Sequence, residues 1–391
     1  MPQTTSAERA SGTRVDWDTP QPTGGTPANR LGLDYRGEAS RLGPPVTPII
    51  DIHAHINGEH AARIYGDAMS LYGVSHVYSQ TRLQEAERVR EALGKRIRFV
   101  AIPDYMSPDT KRAFRSGWLE SIELFRSKFH ARIMKIWNAP RFVDLIEGAE
   151  GKGGGVDLLA LDSPWRIKAL EVGERLGMMY MAHIADPDTW FSTKYADASR
   201  YGTKRAQYEP LERLLDRFTS PWIVAHMGGW PEDLAFLSGM LERHPNLHLD
   251  TSATKWMVRE LSRHPREELV AFLTKWKGRI LFGSDIVTTD AHLSPAKDGA
   301  RFAQDLASSP EEAFDLYASR YWALRTMWET DYDGASNIAD PDLMMVDPDR
   351  YDAMSVPRLR GVGLARVAPD VLESLYSGAA RALVERWEKT H

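Results

Sequence analysis

Past residue 45 the chain alternates short apolar runs with longer stretches whose apolar residues recur every three or four positions. The short runs are Val46–His53, Val74–Ser79, Ile97–Ile102, Ala131–Trp137, Met178–His183, Trp222–His226, Leu247–Asp250 and Ile280–Ser284. Their length and content predict strands. Helical spacing fills the gaps over Thr81–Leu93, Asp109–Phe129, Pro164–Leu176, Gln207–Arg217 and Pro231–Arg243. Asp162-Ser163-Pro164 and Gly229-Trp230-Pro231 read as helix starts, because proline suits a first turn whose N–H has no partner. Eight strands separated by helices over roughly 240 residues predict an α/β fold, a (β/α)8 TIM barrel. An open doubly wound sheet competes with it. That fold wants a Gly-rich phosphate loop after its first strand, and His55-Ile56-Asn57-Gly58 is not one. The glycines of 151–155 follow no strand directly, so they read as a flexible insertion and not a nucleotide site.

Residues 1–45 lack this pattern and are rich in Thr, Pro, Gly and Arg. They are expected to form a poorly ordered or surface-wrapping tail. Residues 46–391 then form the barrel, with a helical C-terminal extension over 331–391. The tail shows no basic-then-apolar leader and the chain no long apolar run, so a cytoplasmic protein without membrane contact is expected. The 391 residues carry 49 basic and 54 acidic side chains, a net charge of -5 that gives no reason to expect nucleic acid as a partner. Cysteine is absent, so a metal would have to be held by His, Asp, Glu or a modified Lys.

The strand ends carry the chemistry. In a barrel of this kind, catalytic groups sit at the C-terminal ends of the strands. The first strand ends Asp51-Ile52-His53-Ala54-His55, and the two-residue period of a strand puts Asp51, His53 and His55 on one face. His183 closes the fifth strand, His226 the sixth and Asp285 the eighth, while Lys135 and Trp137 share a face of the fourth. Each alone has a bland reading, such as a core histidine or a helix cap. Together, His53, His55, His183, His226 and Asp285 at one barrel mouth would be costly to bury without a cation. Asp51 is expected to orient a ligating histidine. Trp137, Arg141, Trp190, Lys194, Trp230 and Lys255 follow strand ends and are candidates for substrate contact. The stretch from Ala185 to Tyr208 is a candidate lid.

In this order, Asp-x-His-x-His, His183, His226 and Gly283-Ser284-Asp285 resemble the amidohydrolase superfamily of metal-dependent barrel enzymes. His226-Met227-Gly228-Gly229 and Leu281-Phe282-Gly283-Ser284-Asp285 are similar to its amidohydrolase-related branch. That branch holds aminocarboxymuconate-semialdehyde decarboxylase, resorcylate-type decarboxylases, and lactonases and hydratases of aromatic acids. Val371 to Tyr376, followed by Ala379 and Ala380, resembles its closing helix, with Gly378 where an Asn is usual. The likeness implies that His53, His55, His183 and Asp285 hold a divalent metal, Zn2+ foremost, with Mn2+ and Fe2+ as alternatives. His226 becomes a second-metal ligand or the group that polarises the substrate. Lys135 becomes a carboxylated bridge if two ions bind, and no ligand if one does.

The implied reaction is hydrolysis. Metal-activated water attacks a C–O or C–N bond of a small carboxylated or cyclic substrate, with Asp285 as base and His226 stabilising the oxyanion. Non-oxidative decarboxylation or hydration of an aromatic or unsaturated acid is the alternative. A non-enzymatic barrel with a structural metal ranks below both. A homodimer stays open, with residues 331–366 as the expected contact.

Overall fold

The computed structural model describes residues 25, 26, 28–295, 306–338 and 358–390. Strands β1 (Ile49–Ile56), β2 (Val74–Ser79), β3 (Ile97–Ala101), β4 (Ile133–Trp137), β5 (Met179–His183), β6 (Trp222–Val224), β7 (Leu247–Asp250), β8 (Ile280–Leu281) and β9 (Ile286–Thr288) form one sheet. Every pairing in it is parallel, and consecutive strands are neighbours from β1 to β8. β8 and β9 are two parts of one stretch that bonds β7 by its beginning and β1 by its end. Between them the Phe282 carbonyl accepts from the Ile52 N–H at 2.9 Å, and the His53 carbonyl from the Asp285 N–H at 2.8 Å. This order, with a helix in nearly every crossover, is the expected (β/α)8 architecture.

The helices follow the apolar period, with three departures. The stretch expected as one helix from Asp109 is two, Thr110–Ala113 and Ser116–Phe129. Between them Arg115 leaves helical geometry (φ -120°, ψ -111°), and its guanidinium is held by Glu150 and Asp157. The helix expected from Pro231 begins at Leu234, because the Asp233 side chain caps it by accepting from the Phe236 N–H at 2.8 Å. The helix expected from Thr81 begins at Ala86.

Alternation sorts the core into two layers. Ile50, Ile52, Val100, Ile133, Met179, Met181, Ile223 and Leu281 form one buried cluster with Ala379, Ala380 and Val384 of the C-terminal helical stretch. Ile49, Ala54, Ile56, Met134, Ile136, Val224 and Phe282 instead join the larger cluster shared with the surrounding helices. Asp51 falls on this helix side, which corrects its expected place beside the histidines. The pairing of β1 with β2 is irregular between Asp51 and Ala54, so the phase set by Ile50 and Ile52 does not carry through to His53 and His55.

Buried Asp51 acts there as a clasp. Its carboxylate accepts from the backbone N–H of His53 at 3.1 Å and of Ser284 at 3.0 Å. It also accepts from the Ser284 hydroxyl at 2.6 Å and from the Tyr321 hydroxyl at 2.9 Å. Tyr321, on the helix Pro310–Glu329, in turn lies 2.5 Å from the Tyr65 hydroxyl. Burial raises the Asp51 pKa to about 7 against the pull of these donors.

Part of the expected N-terminal tail falls within the described residues, including a helix over Tyr35–Leu42. Tyr35 is buried, its hydroxyl accepts from Asn337 at 2.7 Å, and Glu38 accepts from the Trp322 indole at 2.7 Å. Residues 1–24 and 27 lie outside the described residues. In the segment expected to make subunit contacts, Asp333–Ala335 and Arg358–Arg360 form an antiparallel ribbon, β10 and β11. Residues 339–357 lie outside the described residues. Among the described residues, no helix is long and apolar enough to cross a membrane.

Tyr321→Phe removes one donor to Asp51 and the partner of Tyr65, so a loss of about 1–2 kcal/mol is expected. Urea unfolding should show a lower midpoint at an unchanged slope. An unchanged midpoint would contradict the clasp.

Candidate active site

The C-terminal ends of the strands open on a cavity of about 400 Å³. It is lined by His55, Lys135, His183, His226 and Asp285 together with Tyr105, Trp137, Arg141, Trp190, Lys255 and Trp256. Strand alternation explains most of this. Lys135 and Trp137 continue the inward face of Ile133, and His183 continues that of Met179 and Met181. His226 does not follow its strand, since alternation would put it on the helix side with Val224. Its backbone is left-handed (φ 60°), which turns the ring into the cavity. Asp285 (φ 59°) and Ala253 (φ 62°) are held in the same region just beyond their strands. Strain of this kind in non-glycine residues gathers where the surrounding structure fixes a functional geometry.

Three donor atoms converge. His55 Nε2 lies 3.1 Å and His53 Nε2 3.5 Å from the same oxygen, Asp285 Oδ1. His53 is fully buried, and burial together with the nearby Lys135 ammonium lowers its pKa to about 4, so its ring is neutral. Burial pushes the Asp285 pKa up, yet the hydrogen bond from His55 and the imidazoles of His226 and His53 hold it well below the ordinary carboxylate range. Lys135 Nζ lies 3.1 Å from His53 Nε2, and burial lowers its pKa to about 8 against the pull of Asp250 and Asp285.

The other histidines are tied elsewhere. His183 Nε2 lies 2.8 Å from Asp186 Oδ1, and the Tyr195 hydroxyl donates to the second oxygen of that carboxylate. Burial pushes the Asp186 pKa up, but the His183 ring outweighs it and the net shift is downward. His183 packs on His226 with ring centroids 4.5 Å apart, yet its Nε2 is not part of the converging set. His226 Nδ1 faces the Ser252 hydroxyl at 2.8 Å.

The carboxylate beside the His53 ring is Asp250, whereas Asp51 meets only the His53 backbone: His53 Nδ1 lies 2.9 Å from Asp250 Oδ2. Asp250 and Ser252 stand at the end of the seventh strand, where the sequence reading names only Lys255 a few residues further on. The carboxylate closing Leu247–Asp250 was the available signal. Among the substrate candidates, Trp137, Arg141, Trp190 and Lys255 line the cavity, and the Arg141 guanidinium sits 5.5 Å from the Trp137 ring and 5.9 Å from that of Trp190. Lys194 and Trp230 do not line it. Lys194 reaches toward Asp144 at 3.9 Å, and Trp230 stacks on Tyr208.

The lid candidate contributes Asp186 and Trp190 to the cavity wall and is latched on two sides. Buried Lys204 bonds Asp188 at 2.7 Å and approaches Glu232 at 3.4 Å. Arg200 bonds Asp144 at 2.8 Å and Glu147 at 2.7 Å.

The amidohydrolase family profile matches residues 117–386. No curated protein sequence matches the chain. Among solved structures, the chain is similar to 5-carboxyvanillate decarboxylase from Sphingomonas paucimobilis, at 13% identity and a TM-score of 0.35, over 71% of this chain and 98% of that one. It is also similar to the 5-carboxyvanillate decarboxylase of Novosphingobium aromaticivorans, solved with manganese and 4-hydroxy-3-methoxy-5-nitrobenzoic acid. There the identity is 11% and the TM-score 0.39, over 90% of this chain and 97% of that one. A third is the IDCase of Metarhizium anisopliae in its apo form, at 13% identity and a TM-score of 0.38, over 93% of this chain and 81% of that one.

Lys204→Met leaves Asp188 and Glu232 without their shared cation and should loosen the latch. Limited proteolysis is expected to cut at Lys194 or Arg200 several-fold faster than in the wild type while the barrel stays intact. Equal cutting rates would contradict the latch.

Proposed function

Because the chain belongs to the amidohydrolase family, we propose that it is a metal-dependent hydrolase of small, planar, carboxylated substrates. The observation that carries this reading is the meeting of His53 Nε2, His55 Nε2 and Asp285 Oδ1, which lie within 4.8 Å of one another. Two imidazole nitrogens and a carboxylate oxygen suit a divalent ion such as Zn2+, Mn2+ or Fe2+. A second close group, His53, His226 and Asp250, is already bridged by the Ser252 hydroxyl and offers no comparable opening. A bound ion would supply Lewis-acid chemistry, polarising an oxygen of the substrate or making a water more acidic.

The chain's own residues do the rest. Asp285, ionised and facing the cavity, accepts the proton of the attacking water. Oxygen then bonds to the acyl carbon, the C–O or C–N bond breaks, and the proton passes to the leaving group. Trp137, Trp190 and Trp256 give the cavity flat walls that favour a planar substrate. Arg141 and Lys255 face the same space and suit its carboxylate.

Decarboxylation is the second reading, and one observation favours it. Lys135, Arg141 and Lys255 bring three cationic side chains to one cavity, enough to hold a carboxylate that leaves as well as one that stays. In that reaction a C–C bond breaks, carbon dioxide departs and the ring carbon takes a proton. A panel of planar lactones, anilides and hydroxybenzoates separates the two. Ring-opened or cleaved acids without carbon dioxide are expected, and release of carbon dioxide from a hydroxybenzoate alone would overturn hydrolysis.

Metal content of full-length protein purified without chelators is expected to be one ion per chain. His55→Ala should lose it and Lys135→Ala should keep it, since His55 is one of the three converging donors and Lys135 is not. Two ions in the wild type, falling in Lys135→Ala, would restore the bridging lysine. After chelation the protein should keep its far-ultraviolet circular dichroism, whereas a structural ion would take the fold with it.

A further inference from the structure

Ser252 is fully buried and has one hydroxyl proton for three polar neighbours. These are Asp250 Oδ1, to which it donates, His226 Nδ1 at 2.8 Å and His53 Nδ1 at 2.9 Å. A carboxylate oxygen can only accept, so the proton belongs to Asp250. The same oxygen accepts from the backbone N–H of His226 at 2.9 Å and of Ser252 at 3.0 Å. Burial pushes the Asp250 pKa up, but His53 and these donors outweigh it and keep the carboxylate ionised.

The consequence reaches both imidazoles. His226 Nδ1 meets only the lone pairs of the Ser252 oxygen, so it must carry a hydrogen to make that contact favourable. His53 Nδ1 faces Asp250 Oδ2 at 2.9 Å and must carry one as well. We propose that Ser252 and Asp250 form a positioning pair that fixes His53 and His226 together as Nδ1–H tautomers. Each ring then presents the bare lone pair of Nε2. For His53 that is the atom in the donor set. For His226, which lines the cavity, it means a proton acceptor, replacing the oxyanion-donor role expected from the sequence. The inference deepens the hydrolase reading but stands on hydrogen-bond counting alone.

The test is spectroscopic. Full-length protein with isotope-labelled histidine is examined by long-range proton–nitrogen correlation, with the His226 signals identified by their loss in His226→Gln. The wild type should show Nδ1 protonated and Nε2 bare. Ser252→Ala should shift His226 toward the other tautomer or a mixture, and Ser252→Thr, which keeps the hydroxyl, should restore it. A protonated, neutral-ring Nε2 at His226 in the wild type would overturn the proposal, as would an identical spectrum in Ser252→Ala. If Ser252→Ala fails to fold, the wild-type spectrum decides alone. Protein that takes up no metal yet shows this tautomer would refute the hydrolase reading and leave the proposal standing.

Discussion

A buried carboxylate holds this site together. Asp250 has no contact with water, and an ion in that position costs several kcal/mol unless donors surround it. They do: the N–H groups of His226 and Ser252, the Ser252 hydroxyl and the His53 ring. Those contacts fix the left-handed turn at His226, the direction of His53 and the end of the seventh strand at once. Asp51 does the same work on the helix side, where it joins β1 to the β8–β9 stretch and to Tyr321. The converging donors lie between these two carboxylates, so the geometry at the mouth is set by groups that do not face the cavity.

The barrel was legible because eight apolar runs and their intervening helical periods are strong, repeated signals. Buried parallel strands cannot easily be mistaken when turns and amphipathic stretches bound each one. His53, His55 and Asp285 stood out as polar residues at or near strand ends, but an irregularity in β1 and a left-handed turn at Asp285, and not strict alternation, bring them together. Asp51 was misplaced because a two-residue period cannot see an irregularity in pairing. Asp250 and Ser252 were missed because a lone acid at a strand end looks like any helix cap. The position of His183 depends on Asp186 and Tyr195, whose approach is set by the fold of the lid and not by spacing.

Asp285, Asp186, Lys135 and the imidazoles gather near the strand ends, while Arg141 and Lys255 reach the cavity from the segments that follow the fourth and seventh strands. A flat anion with its reactive bond toward Asp285 and its carboxylate toward Arg141 fits that arrangement. The same aromatic walls that favour a planar ring also limit its thickness.

An anomalous difference map from crystals grown with Mn2+ or Zn2+ tests the central claim most directly. One peak is expected between His53 Nε2, His55 Nε2 and Asp285 Oδ1, with Lys135 moved aside and Asp250 still bonded to His53. A peak beside His183 and Asp186, or none anywhere in the cavity, would contradict it.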